Sequence, residues 1–135
     1  MKLDLSSLDK GIKALIRALE EYEKNAIEFV KDSCIQRFEF TYELSHKFIK
    51  RYLELTEANP EEIEEMTFQQ LIRRATERGL LLNDWESWKD YRKSRGKTSH
   101  TYDEETADEV FEDIPVFLKE AEYLYKRLEE RLSNV

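Results

Sequence analysis

Residues 33–56 read SCIQRFEFTYELSHKFIKRYLELT, and the spacing of their large apolar side chains decides the fold class. Ile35, Phe38, Tyr42, Ile49 and Tyr52 recur at helical steps and make one stripe, while Phe40, Leu44, Phe48 and Leu55 make a second on another side. A helix with two apolar faces needs two neighbours. One is the rest of its own chain. The other is either more of that chain, which makes this the central member of a bundle, or a second protomer.

Upstream, Ser6 or Ser7 is placed to cap a first helix, and Leu8, Ile12, Leu15, Leu19, Tyr22, Ala26 and Phe29 follow as one stripe. Lys31-Asp32-Ser33 interrupts that stripe and supplies a new cap, so the second helix is expected from Ser33 to Thr56, antiparallel to the first. Downstream, Asn59-Pro60 stops the pattern and an acidic link leads to Thr67-Phe68-Gln69-Gln70, a capping-box sequence with Gly79 as the stop. Asn83-Asp84 caps a helix to about Ser94 in which Trp85, Trp88 and Tyr91 share a face, as core anchors or as a platform for stacked bases. Gly96 ends it. Asp103 caps a final helix whose apolar face runs from Ala107 to Leu132, kinked or split at Pro115. The expectation is an all-α protein, an antiparallel up-and-down bundle of four or five helices, with residues 1–135 in a single domain.

Composition agrees. The 135 residues are 39% charged and 40% hydrophobic with only three glycines and two prolines, the signature of long amphipathic helices with few breaks. No apolar run approaches the roughly 20 residues needed to cross a bilayer, and Met1 is not followed by a signal-peptide core, so a cytoplasmic protein without membrane contact is expected. Cys34 is the single cysteine and has no partner for a disulfide or a thiolate metal cluster.

The net charge of −8 disfavours broad binding to nucleic acid. One segment departs from this. Between Lys89 and His100 five cations, Lys89, Arg92, Lys93, Arg95 and Lys97, face only Asp90, and the segment runs into Arg95-Gly96-Lys97-Thr98-Ser99-His100-Thr101-Tyr102-Asp103. This is either a solvated basic face entering a loop or a local phosphate site. A glycine between Arg95 and His100 permits a sharp turn that brings a permanent cation and a titratable imidazole to one phosphate. Such a pair suffices for metal-independent RNA cleavage, in which a 2′-hydroxyl attacks the adjacent phosphate. The spacing alone equally fits a structural loop. Arg92, Lys93, Lys97, Thr98 and Ser99 are the further candidates for phosphate or RNA contacts.

Glu39, Glu43 and His46 lie on one side of the second helix, and Glu43 and His46 have the Glu-x-x-His spacing of carboxylate di-metal bundles. The second such motif is missing, so no metal and no cofactor are expected. Glu39 and Glu43 either form ion pairs that hold helix register or border the motif cleft.

Three blocks carry a resemblance: Leu3-Asp4-Leu5-Ser6-Ser7-Leu8, Ile35-Gln36-Arg37-Phe38-Glu39-Phe40-Thr41-Tyr42-Glu43-Leu44, and Thr98-Ser99-His100-Thr101-Tyr102-Asp103-Glu104. In this order they resemble the nucleotidyltransferase substrate-binding protein family of the HEPN superfamily, over essentially the whole chain. The resemblance implies a helical bundle, a homodimer, and a partner protein, the minimal nucleotidyltransferase MNT. It implies a ribonuclease centre at the dimer cleft, with Arg95 and His100 as catalytic residues. It further implies a toxin–antitoxin pair in which the partner silences the toxin by adding AMP to Tyr102. A non-catalytic adaptor that binds a nucleotide or phosphate for the transferase is the alternative, and a purely structural bundle is a third.

Overall fold

The computed structural model describes residues 3–133. Helix α1 (Ser6–Lys24) and helix α2 (Glu28–Thr56) form the hairpin, followed by α3 (Pro60–Glu64), α4 (Phe68–Glu77), α5 (Trp85–Gly96), a 3-10 turn (Thr98–His100) and α6 (Glu104–Ser133). There is no strand among the described residues, and α2 packs against every other helix of its own chain. It is the central member of the bundle. Ile35, Phe38, Tyr42, Ile49 and Tyr52 are buried, as are Leu44 and Phe48 of the second stripe, whereas Phe40 and Leu55 stay exposed.

The hairpin breaks earlier than the sequence pattern suggests. α1 stops at Lys24, Asn25 and Ile27 leave helical geometry, and α2 starts at Glu28. Ala26 is exposed and Phe29 is 85% exposed, so neither continues the stripe of α1. The break falls at Asn25, whose backbone leaves helical geometry while its N–H still donates to the Glu21 carbonyl. Lys31 sits inside α2 and pairs with Asp108 of α6, so the first turns of α2 are anchored and helical. Neither Ser6 nor Ser7 caps α1 with its side chain. Instead Asp4 Oδ1 accepts from the Ser6 N–H at 2.9 Å, which also holds the Asp4 carboxyl below its usual range.

The two long helices of the hairpin cross closely at Gly11. A Cβ there would stand 3.1 Å from Leu44 Cδ1 and 3.4 Å from Thr41 Oγ1. Arg37 Nη1 donates to the Ala14 carbonyl at 2.7 Å across the same crossing. Further on, the Thr67 capping box is made in both directions. Gly79 takes φ +70 at the end of α4, the left-handed turn that favours glycine. Arg127 and Arg131 of α6 donate to the Gly79 carbonyl and tie that turn to the end of the bundle.

Pro115 does not split α6. It removes one rung, the N–H that would pair with the carbonyl four residues earlier, and the helix continues to Ser133. Phe117, one turn of helix past Ile114, is the hub of an aromatic cluster. Its ring meets Phe38 at 5.3 Å, Tyr91 at 5.3 Å and Trp88 at 6.2 Å, all edge-on.

One carboxylate is buried in this core. Glu120 accepts the Leu82 N–H at 2.8 Å, the Asn83 N–H at 3.1 Å and the Tyr91 hydroxyl at 3.2 Å. Burial pushes its carboxyl above the ordinary 4.5 despite these donors. Glu120→Ala is expected to lower unfolding free energy in urea by about 3 kcal/mol, because buried donors lose their acceptor. Since the folded pKa is raised, the folded state holds the extra proton. The advantage of the parent over Glu120→Ala is therefore largest below pH about 4.5 and shrinks as pH rises through the folded value.

Candidate functional site

Helix α5 turns Trp88, Tyr91 and Ser94 into the core, and this choice of face aims the residues between them. Two bonds to α6 hold its rotation: the Tyr91 hydroxyl donates to Glu120 at 3.2 Å, and the Ser94 hydroxyl donates to Asp113. Arg95 follows Ser94 directly and lies at the rim of the helix. Its Nε donates to the Glu43 carboxylate of α2, which raises the guanidinium pKa further above its ordinary value.

The chain then tightens into the 3-10 turn, with the His100 N–H donating to the Lys97 carbonyl at 2.9 Å. The Thr98 hydroxyl lies against the Glu39 carboxylate and, at 2.8 Å, the Arg95 carbonyl, and its single proton serves one acceptor at a time. Asp103 closes the segment by accepting from the Thr106 N–H at 3.3 Å and the Thr106 hydroxyl at 2.7 Å. Glu39 and Glu43 of α2 thus brace the segment that carries Arg95 and His100. Gly96 plays a smaller part than its position suggests. Gly79 holds the positive φ, and a Cβ at Gly96 would meet no atom within 4 Å, so the turn is built without glycine's freedom.

His100 is exposed, and its ring stands 6.2 Å from that of Tyr102, centroid to centroid, at 73°. Tyr102 is 87% exposed. The remaining basic and hydroxyl candidates divide. Arg92 lies over the Phe68 ring at 4.9 Å, and Lys97 pairs with Glu109 at 2.8 Å. Lys93 and Ser99 face solvent, and Thr98 is held by Glu39.

His46 does not join this group. Its ring packs edge-on against Phe68 at 4.8 Å, and burial depresses its pKa. Glu43 is held by Arg95, so the two halves of the Glu-x-x-His spacing serve different neighbours. Among the described residues no three His, Cys, Asp or Glu side chains form a group suited to a metal ion. Cys34 is buried, which raises its thiol pKa, and it lies apart from the motif in the core. No described helix is long and apolar enough to cross a membrane.

Residues 3–130 match the family described as nucleotidyltransferase substrate binding protein like. The chain belongs to this family. A curated relative from Haemophilus influenzae, named probable ribonuclease HepT, is 36% identical over 139 aligned residues, covering 96% of this chain and 94% of that protein. A solved Haemophilus influenzae structure, described as revealing the fold of a substrate binding domain of a nucleotidyltransferase, superposes with a TM-score of 0.87 at 32% identity. It covers 93% of this chain and 99% of that one. A Thermus thermophilus structure gives a TM-score of 0.69 at 26% identity over 93% of this chain and 98% of its own. Family and helical-bundle fold therefore agree with the resemblance read from the three sequence blocks.

Ser94, Asp113 and Glu120 do not stand out in the sequence as parts of the site, although one signal is there. Glu120 lies between Phe117 and Leu124 on the buried face of α6, where a charged residue needs partners. Removing a brace should loosen the motif without unfolding the bundle. Glu39→Ala is expected to speed amide exchange in residues 98–103, while global stability changes by less than about 1 kcal/mol, as for other surface contacts. Unchanged exchange in that segment would show that Glu39 does not order it.

Proposed function

We propose that this protein is a metal-independent endoribonuclease of the HEPN type, the toxin of a pair with a minimal nucleotidyltransferase. The observation that carries the reading is the braced, solvent-facing segment in which Arg95 near the end of α5 is followed by a 3-10 turn that ends on His100. The Haemophilus relative named as a probable ribonuclease supports it.

In this reading Arg95 leaves or shares its exposed pair with Glu43 to meet the scissile phosphate, where its fixed charge offsets the charge that builds on phosphorus-bound oxygens. His100 removes the proton of the 2′-hydroxyl as the bond from O2′ to phosphorus forms. The bond to the 5′-oxygen breaks, that oxygen takes a proton, and a 2′,3′-cyclic phosphate remains. In a homodimer the two copies of the motif share one cleft, and two imidazoles divide the accepting and the donating of protons. Arg92, Lys93 and Ser99, exposed beside the motif, contact flanking phosphates, with the half-buried Lys97 and Thr98 beside them.

Tyr102 is the proposed switch. Its exposed phenol is open to a transferase: the phenolic oxygen bonds to the α-phosphorus of ATP, pyrophosphate leaves, and the phenolic proton passes to a base. The AMP group then places negative charge and bulk two residues from His100, where the RNA phosphate belongs.

A second reading is a non-catalytic adaptor in which Arg95 and His100 hold a nucleotide or phosphate for the transferase. It is favoured by the description of the Haemophilus structure as a substrate binding domain.

The purified protein, with Tyr102 shown by mass spectrometry to be unmodified, is expected to cut single-stranded RNA in the presence of a chelator. His100→Ala and Arg95→Ala, folded and in the same oligomeric state, should each lose at least about 100-fold in rate. No cleavage by the unmodified protein favours the adaptor. Cleavage that survives in both variants removes the motif from the chemistry.

A further inference from the structure

A groove of about 360 Å³ runs along the crossing of α1 and α2, with Gly11 on its floor and Lys10, Lys13, Arg17, Arg37 and Phe40 around it. Lys13 pairs with Asp9 at 2.9 Å, but Lys10, Arg17 and Arg37 form no ion pair among the described residues. In a chain of net charge −8, three cations outside any ion pair around one opening are a local reversal of sign, although Arg37 also donates to the Ala14 carbonyl at 2.7 Å. Among them Phe40 is 58% exposed, an aromatic ring that the core of the bundle does not use. Phe40 follows Glu39, which holds Thr98, and precedes by three residues Glu43, which holds Arg95. The ring therefore stands next to one brace of the motif and about one helical turn from the other.

Cations flanking an exposed aromatic face suit a single-stranded nucleic acid, whose phosphates meet the charges while a base stacks on the ring. A second copy of this chain suits the groove less well. In a two-fold contact centred on Phe40 the same cations would face one another, and like charges at an interface oppose association.

We propose that this groove is a binding subsite for single-stranded RNA, in which one base stacks on Phe40 and Lys10, Arg17 and Arg37 hold the adjoining phosphates. It rests on the reading of Arg95 and His100 as a ribonuclease centre and extends that centre along α2. The strand then passes from the α1/α2 crossing to the motif, and the groove sets which nucleotide reaches His100.

The test is binding of a fluorescent ten-nucleotide RNA to His100→Ala protein by anisotropy, so that affinity is read without cleavage. Phe40→Ala in that background is expected to weaken binding about 5- to 150-fold, the range for one stacked base. Phe40→Trp should retain it. Lys10→Gln with Arg17→Gln should flatten the dependence of log affinity on log salt by roughly 0.7 for each phosphate that is no longer neutralised. Phe40 is exposed, so its variants keep the core, which circular dichroism checks.

Binding that depends on Phe40, together with no cleavage by the His100 parent, upholds the groove and removes the nuclease reading. Unchanged affinity in Phe40→Ala, or no RNA binding at all, overturns the groove. So does conversion of a dimer to a monomer by Phe40→Ala in sedimentation, which makes the ring a protomer contact. If Phe40→Ala binds as the parent does while the His100 parent still cuts RNA, the groove alone falls.

Discussion

The buried carboxylate of Glu120 holds the arrangement on which the candidate site depends. It gathers two backbone N–H groups from the segment between α4 and α5 and the hydroxyl of Tyr91 within α5. A charged group in an apolar core is costly unless its oxygens are satisfied, and here the satisfying donors all belong to the piece of chain that presents Arg95. The start of α5 is thereby set against α6, and the Ser94 to Asp113 bond sets its end. Rotating α5 about its axis would break both bonds and carry Trp88 and Tyr91 out of the aromatic cluster around Phe117. The direction of Arg95 follows from the core.

α2 is the second determinant. Its inner side supplies Phe38, Tyr42, Ile49 and Leu53 to the core, while its outer side presents Glu39, Phe40 and Glu43. The two carboxylates balance the most basic segment of an acidic protein and hold it in one conformation before any ligand arrives. The Arg95–Glu43 pair is exposed enough for a phosphate to compete for the cation, since water already weakens it. A buried pair would hold the arginine too firmly to serve a substrate.

Much of this is legible in the chain. The stripes of α1 and α2, the Thr67 capping box, the Gly79 stop and the Asp84 and Asp103 caps are local signals, each decided by a few neighbouring residues. Pattern and structure part where a local signal meets a distant partner. Ala26 and Phe29 extend the periodicity of α1 on paper, yet the break comes at Asn25 and Lys31 is held in α2 by Asp108, far along the chain. Pro115 reads as a kink or a split, and of the two the split does not occur, because α6 stays continuous past one missing rung within a long buried stripe. Gly96 reads as the hinge of the motif, although the turn there needs no positive φ.

By itself the sequence determined the all-helical class, the family, and the separation of a basic motif from an acidic remainder, because periodicity, caps and charge are properties of short stretches. Only the tertiary structure decided that Glu39 and Glu43 reach Thr98 and Arg95, that Glu120 and Asp113 orient α5, and that Phe40 opens onto the cations of α1. Those pairings join residues tens of positions apart. They depend on how helices rotate and cross, which close packing of the whole core sets and no single stretch encodes.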